Sequence, residues 1–275
     1  DGYLNTEQYK NSLLTDSKSL QSDLIHLTPF KDNDFGYNSR VTKEVLLGTG
    51  IKDEEITHYG GLRIKTCTDV GIQKILNDEL GQHLAKLNEE VEDQTNPIDG
   101  SAVIVEVKTG CVVALSGGHS YKETPYNRAL ALRSVGSGYK PFVYAAAFEA
   151  GATLEDMIEN NPFKMRGANG QPWIPQNFKE DHPVPYGRIP IYVGQIRSVN
   201  IATLLLANKI GMDKVVNITH KTGIWGNYGI VKDPLGKIIF RMPGVKDTGD
   251  GIIPLLPTAI GASDVNLLEL VNGYT

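Results

Sequence analysis

Residues 102–115 read AVIVEVKTGCVVAL, and this stretch decides the fold. Two runs rich in β-branched residues flank Lys108-Thr109-Gly110, which is the pattern of two strands joined by a turn. We therefore predict an antiparallel hairpin. Both runs are almost continuously apolar, and strands of that kind are usually covered on both faces. Helices should accordingly pack on both sides of this sheet.

The sequence on either side of the hairpin predicts mainly helices. Apolar and polar residues alternate over 62–67, which predicts a strand, and Asp69 is placed to cap a helix of residues 70–91. Pro141 cannot lie deep inside a helix, so the next helix should begin near residues 136–138 and end at Ala150. Further helices are predicted at 191–206, 213–220 and 266–272, and a long loop at 160–190.

The first 60 residues are polar and irregular, and we interpret them as an arm or linker. A short helix at 5–14 and a loop at 32–38 are expected within it. The predicted fold class is α+β, with an antiparallel sheet flanked by helices and a helical subdomain.

The composition argues against several kinds of function. Of 275 residues, 40% are hydrophobic and 21% charged, as in ordinary globular proteins. With 27 basic and 32 acidic residues the net charge is −5, which does not favour nucleic-acid binding. The longest apolar runs have about seven residues, whereas a membrane-spanning helix needs about twenty. The six histidines form no His-Glu-x-x-His pair, so we expect neither a metal nor another cofactor.

The two cysteines, Cys67 and Cys111, could form one disulfide, but neither belongs to a Cys-x-x-Cys pair. We expect them to be separate, buried small hydrophobic residues. The chain begins with Asp1 and carries no signal peptide, which predicts either a cytosolic protein or a piece of a longer exported one.

The sharpest chemical motif is Ser137-Gly138-Tyr139-Lys140, an S-x-x-K at the start of a predicted helix. Residues three apart share a helix face, so the Lys140 amine can reach the Ser137 hydroxyl. A serine hydroxyl needs a base to act as a nucleophile, and a lysine becomes one when burial lowers its pKa. The helix N-terminus also favours the oxyanion that forms after attack. An isolated S-x-x-K occurs by chance in many chains, and on its own it is more often a serine cap followed by a solvated lysine; the G-S-x-x-K-P setting before an apolar helix and a second motif downstream favour the functional interpretation.

A second motif, Ser198-Val199-Asn200, follows 61 residues after Ser137. A hydroxyl and an amide two residues apart can both face a cleft when they lie on a turn. Ser198 could then relay a proton, and Asn200 could hold a substrate amide. A short polar patch before an apolar helix is the alternative interpretation.

Together with these motifs, residues 60–275 resemble the transpeptidase domain of class A penicillin-binding proteins. The landmarks occur in the expected order: GLRIKTCTDVGIQ, GSAVIVEVKTGCVVALSGG, YNRAL, GSGYKPFVYAAAFEAG, the loop residues Trp173, Pro175 and Asn177, RSVN, and AIGASDVNLLELVNGY. The opening DGYLNTEQYKNSL is similar to the end of the glycosyltransferase domain that precedes the transpeptidase in such proteins. The resemblance therefore implies that residues 1–60 link a missing glycosyltransferase domain to a transpeptidase domain at 61–275, with a β-lactamase/transpeptidase-like fold.

The resemblance also implies a function in peptidoglycan synthesis. Ser137 would attack the D-Ala-D-Ala carbonyl of a stem peptide, Lys140 would take its proton, Ser198 would pass that proton to the leaving amine, and Asn200 would bind the substrate backbone. The implied partners are stem peptides, β-lactam antibiotics and the upstream glycosyltransferase domain. The parent protein would work on the outer face of the bacterial cell membrane, anchored by a segment outside this chain.

Three departures from the family pattern matter. Val135 replaces a frequent proline and Tyr139 a usual phenylalanine. The family's third motif, a Lys-Thr/Ser-Gly on an edge strand, would lie beyond Thr275, so the resemblance implies a truncated domain. Two Lys-Thr-Gly triplets do occur here, but we assign residues 108–110 to the hairpin turn and residues 221–223 to a helix end.

Other functions stay open at this point. A class A β-lactamase shares S-x-x-K, but its Ser-Asp-Asn is Ser-Val-Asn here, and no Glu-x-x-Leu-Asn is present. A D,D-carboxypeptidase would differ only in using water as the acceptor. A non-catalytic penicillin sensor or stem-peptide binder is the alternative from outside the enzymes.

Overall fold

The structure is a computed structural model that describes residues 36–48, 51–52, 64–91, 95–166, 170–178, 184–226, 231–232, 238–240, 251–252 and 254–275. The helices are α1 (Gly36–Gly48), α2 (Val70–Glu89), α3 (Lys140–Glu149), α4 (Ile191–Ile196), α5 (Asn200–Ile210), α6 (Met212–Lys221) and α7 (Leu267–Gly273). The strands are β1 (Ala102–Glu106), β2 (Cys111–Ser116), β3 (Arg133–Ser134), β4 (Met157–Glu159), β5 (Met165–Arg166), β6 (Pro172–Trp173), β7 (Arg188–Pro190), β8 (Val231–Lys232), β9 (Ile238–Phe240) and β10 (Asp264–Val265). Two 3₁₀ turns, Gly136–Tyr139 and Leu256–Ile260, complete the description.

The predicted hairpin is confirmed. Strands β1 and β2 pair antiparallel from Ala102 opposite Ser116 to Glu106 opposite Cys111. The turn contains the first Lys-Thr-Gly triplet, and its Gly110 has a φ of +69°, a conformation that favours glycine. Helices α1 and α2 contact β2 and α7 contacts β1, so helices flank the sheet as predicted. Every described strand pairs antiparallel with one neighbour.

Helix α2 begins where the sequence predicts it. The Asp69 side chain accepts a hydrogen bond from the Ile72 N–H at 2.9 Å, as an N-cap does. One turn later lies the buried side-chain amide of Gln73. Its Nε2 donates to the Leu115 carbonyl at 3.0 Å, and its Oε1 accepts from the Leu115 N–H at 2.9 Å. The strand predicted at 62–67 is wrong for its described residues, 64–67, which have no regular structure. The described segment meets β2 through single contacts and not through a ladder: the Asp69 N–H donates to the Val113 carbonyl at 2.9 Å, and the Gln73 side chain then pairs with the backbone of Leu115.

The cysteine prediction is wrong, because Cys67 and Cys111 form a disulfide. The segment before α2 passes beside the first residue of β2, which brings the two Cα atoms to 5.7 Å. That separation lies within the range that a disulfide requires. The contact joins residues 44 apart in sequence, so no local spacing reveals it.

The main hydrophobic core surrounds α3, the helix that follows the S-x-x-K serine. This helix is buried on most of its surface, which is typical of a central helix. The hydroxyls of Tyr144 and Thr203 hydrogen-bond at 2.9 Å and tie α3 to α5. The hydroxyls of Tyr139 and Thr219 hydrogen-bond at 2.8 Å and tie the 3₁₀ turn before α3 to α6. The α3–α5–α6 cluster forms the predicted helical subdomain.

Several predicted boundaries change. The helix predicted at 191–206 is two helices, α4 and α5, because the backbone turns at Ser198 with a φ of +50°. The loop predicted at 32–38 is wrong for residues 36–38, which begin α1. The predicted loop at 160–190 contains a short β5–β6 hairpin and the strand β7. The helix predicted at 5–14 lies outside the described residues, and the domain boundary after residue 60 stays a prediction.

Candidate active site

Ser137 lies in the 3₁₀ turn that leads directly into α3. This turn is held by the segment that precedes β10, because the Gly136 N–H donates to the Gly261 carbonyl at 3.0 Å. A Cβ at Gly261 would lie 2.0 Å from the Gly136 carbonyl oxygen, so only glycine permits this approach. On the other side, the Tyr274 hydroxyl donates to the Gly138 carbonyl at 2.6 Å. The turn is therefore fixed on both sides while the Ser137 side chain stays exposed.

Lys140 is the first residue of α3, and it is only 1% exposed. Its Nζ donates to the Ser198 carbonyl at 2.5 Å, to Ser198 Oγ at 2.9 Å and to Asn200 Oδ1 at 2.6 Å. Burial lowers the pKa of the Lys140 amine to about 8. Among the described residues no carboxylate forms an ion pair with this amine, and such a pair would raise the pKa again.

The second motif reaches Lys140 because the backbone bends between α4 and α5. Ser198 adopts a φ of +50°, which is uncommon outside glycine and asparagine. Strained backbone of this kind is found where the surrounding structure holds it in place for a function. The bend places both the carbonyl and the hydroxyl of Ser198 against Lys140, and it makes Asn200 the first residue of α5.

The structure brings three of the four predicted site residues into direct contact, namely Lys140, Ser198 and Asn200. Ser137 joins them through the backbone, since the Lys140 N–H donates to the Ser137 carbonyl. The predicted contact between the Ser137 hydroxyl and the Lys140 amine is not among the hydrogen bonds of the described residues. Lys140 is instead turned toward the second motif, one helical turn from the serine.

Two residues that support this site, Asn177 and Asn160, were not predicted as site residues. Asn177 accepts a hydrogen bond from the Ile201 N–H at 2.9 Å, and Asn160 is completely buried behind it. Asn177 was named only among the residues that carry the family resemblance. A polar residue shortly after Trp173 and Pro175 in a long loop was the available signal, but nothing in the spacing indicated what it contacts.

The second Lys-Thr-Gly triplet has no part in the site. Residues 221–223 end helix α6, where Gly223 has a φ of +85° and caps the helix as predicted. The described residues contain no group of three or more potential metal ligands. Nor does any described helix combine the length and the apolar character needed to cross a membrane.

Comparison with known proteins is consistent with this architecture. Residues 100–275 match the family model "Penicillin binding protein transpeptidase domain", and the chain belongs to this family. The α+β, transpeptidase-like fold that the sequence predicted is confirmed.

Similar curated proteins include penicillin-binding protein 1A of Aquifex aeolicus, which is 35% identical over 180 residues, covering 64% of this chain and 21% of that protein. Penicillin-binding protein 1B of Vibrio cholerae is 29% identical over 167 residues, covering 60% of this chain and 21% of that protein. This chain thus spans about a fifth of the length of the curated relatives it matches.

Two solved structures extend the comparison. Penicillin-binding protein 1A from Haemophilus influenzae superposes with a TM-score of 0.51 at 26% identity, over 65% of this chain and 23% of that one. The penicillin-binding protein PonA1 from Mycobacterium tuberculosis gives a TM-score of 0.61 at 20% identity, over 86% of this chain and 55% of that one. At 20% identity, the likeness to PonA1 is evidence of the fold alone.

Proposed function

We propose that this chain carries the acyl-transfer site of a peptidoglycan D,D-transpeptidase, with Ser137 as its nucleophile. The observation that carries the proposal is the buried Lys140 amine, which contacts Ser198 and Asn200 and lies one turn after Ser137. A buried lysine with no anionic partner is unfavourable for folding and is typical of a catalytic base.

In the proposed reaction, Ser137 Oγ forms an ester bond to the penultimate D-Ala carbonyl of a stem peptide. The Ser137 proton passes to neutral Lys140 and, through Ser198, to the nitrogen of the terminal D-Ala. The C–N bond breaks and D-Ala leaves. The amine of a second stem peptide then attacks the ester, which restores the Ser137 hydroxyl and leaves a new amide as the cross-link. A β-lactam would acylate Ser137 by opening of its ring amide, so that no group departs.

The electrostatics of the site favour this sequence of steps. With a pKa of about 8, about a tenth of Lys140 is neutral at pH 7 and able to accept a proton. The 3₁₀ turn and α3 direct backbone N–H groups toward the end of the helix where Ser137 lies, and these favour a developing oxyanion. Asn200 uses one of its two amide hydrogens on the Gln176 carbonyl at 2.9 Å, so the other is available to a substrate carbonyl.

The proposed location is the outer face of the bacterial cell membrane. A disulfide between Cys67 and Cys111 supports it, because disulfides persist in oxidising compartments and are rare in the cytosol. The resemblance to class A penicillin-binding proteins further implies a parent protein with a glycosyltransferase domain and a membrane anchor, and both belong to the proposal.

Intact-mass spectrometry of the complete polypeptide after incubation with benzylpenicillin tests the proposal. We expect one drug-sized adduct that maps to Ser137, is lost in Ser137→Ala and is kept in the control Ser101→Ala, which alters a serine just before β1. Reversible binding without an adduct would indicate a non-catalytic sensor, and rapid loss of the adduct would indicate a β-lactamase. With a stem peptide as substrate in place of the drug, release of D-Ala without formation of a cross-linked product would indicate a carboxypeptidase.

A further inference from the structure

The start of helix α5, which carries the second motif, is capped from another part of the chain. Its N-cap residue, Val199, has no side-chain acceptor for the free N–H groups of the first turn. The Asn177 side chain takes this role, since its Oδ1 accepts from the Ile201 N–H at 2.9 Å. The cap is therefore supplied by a loop 24 residues upstream.

The same loop also holds Asn200 directly. The Gln176 carbonyl accepts a hydrogen bond from Asn200 Nδ2 at 2.9 Å. The other end of that amide, Oδ1, accepts from Lys140 Nζ at 2.6 Å. The orientation of the Asn200 amide, and with it one of the three contacts of Lys140, is thus set by residues 176 and 177.

Asn177 is in turn held by a buried asparagine. Its Nδ2 donates to Asn160 Oδ1 at 3.0 Å, and Asn160 is 0% exposed. Asn160 Nδ2 donates to the Pro185 carbonyl at 2.9 Å, and the Asn160 backbone N–H donates to the Gly187 carbonyl at 2.7 Å. A fully buried amide is stable only when its hydrogen-bonding groups are paired, so Asn160 has little freedom to move.

We propose that Asn177, held by Asn160, is a positioning residue for the second motif: it fixes the start of α5 and thereby keeps Asn200 and Ser198 in contact with the Lys140 amine. The inference rests on the proposed function, because it assigns Asn177 a task in the acylation of Ser137. Asn177 acts through other residues and takes no part in the proton transfers.

The consequence of losing Asn177 follows from the site's geometry. Without the cap, the first turn of α5 frays and water reaches the region between α3 and α5. The low pKa of Lys140 has burial as its cause, so added water raises this pKa toward that of an exposed lysine. Misplacement of a catalytic group by about 1 Å can slow a reaction about 100-fold.

The test compares Asn177→Ala with Asn161→Ala in the complete polypeptide. Asn161 is a matched control, because it neighbours Asn160 but is exposed, and among the described residues its side chain hydrogen-bonds to Glu159 and not to the site. Fluorescent penicillin labelling from pH 6 to 10 gives the acylation rate and, from its final amplitude, the fraction of active protein. For Asn177→Ala we expect a rate about 10- to 100-fold lower at pH 7, an unchanged final amplitude, and a rise of the pH profile shifted toward higher pH.

A second variant separates the cap from the support behind it. Asn177→Asp keeps an acceptor for the Ile201 N–H but loses the donor to Asn160 Oδ1, so its rate should lie between those of the wild type and Asn177→Ala. A rate as low as that of Asn177→Ala would overturn the role assigned to the cap. The proposal is overturned if Asn177→Ala matches Asn161→Ala, or if its rate falls only in proportion to the final amplitude with an unshifted pH profile. If the wild type is not acylated at Ser137, the proposed function itself fails and this inference fails with it.

Discussion

The depressed pKa of Lys140 predicts how the acylation of Ser137 depends on pH. An ordinary lysine, with a pKa of 10.5, is about 0.03% neutral at pH 7, whereas a pKa of about 8 makes about 9% of the amine neutral. Burial thus raises the concentration of neutral base about 300-fold. Between pH 7 and pH 8 the neutral fraction rises from about 9% to about 50%, so the acylation rate should increase about fivefold and level off above pH 9.

Pulse labelling with a fluorescent penicillin measures this dependence. The rate constant is taken at a fixed drug concentration and ionic strength between pH 6 and pH 10, and thermal unfolding at each pH shows that the protein stays folded. Lys140→Arg keeps a positive charge throughout this range and should not be acylated at any pH. Lys140→Ala should abolish acylation as well while the fold survives.

Two results would refute the reasoning. An acylation rate that stays constant between pH 7 and pH 8 would mean that neutral Lys140 is not the base. A rise centred near pH 10 would mean that water reaches the amine and that burial does not lower its pKa. Unchanged kinetics in Lys140→Ala would remove this residue from the mechanism altogether.

Three further predictions concern stability. Burial raises the pKa of Glu269 to about 7, so between about pH 4.5 and 7 the folded protein keeps a proton that the unfolded chain has lost. The free energy of unfolding should then fall by about 3 kcal/mol as pH rises through that window, and urea unfolding should show no such fall in Glu269→Gln. Tyr274→Phe deletes the hydrogen bond to Gly138 and should lower the free energy of unfolding by about 1 kcal/mol in urea, whereas an unchanged value would mean that the bond adds nothing. Replacing Cys67 and Cys111 by alanine should lower the free energy of unfolding by about 4 kcal/mol for a loop of this length, and a melting temperature equal to the wild type's would contradict the disulfide.

Local features of the molecule were predictable because neighbouring residues decide them. The hairpin around Gly110 and the Asp69 cap both depend on side chains within a few positions of one another. The start of α3 was predictable to within a few residues because Pro141 restricts where a helix can begin: the expected start was near residues 136–138, and α3 begins at Lys140 after the 3₁₀ turn. The S-x-x-K spacing also named the candidate nucleophile and base together, whereas the orientation of the Lys140 amine toward Ser198 did not follow from that spacing.

Long-range contacts escaped the sequence analysis because chain entropy opposes them and only packing elsewhere makes them favourable. The pairing of Cys67 with Cys111 is one such contact, and the turn of Lys140 toward Ser198 is another, across 58 residues. The bend at Ser198 broke a helix that periodicity alone would continue, because α3 and the loop at Asn177 hold it in place. The residue types of the site were therefore determined by the sequence, whereas the burial that lowers the pKa of Lys140 arises only when distant segments pack around it.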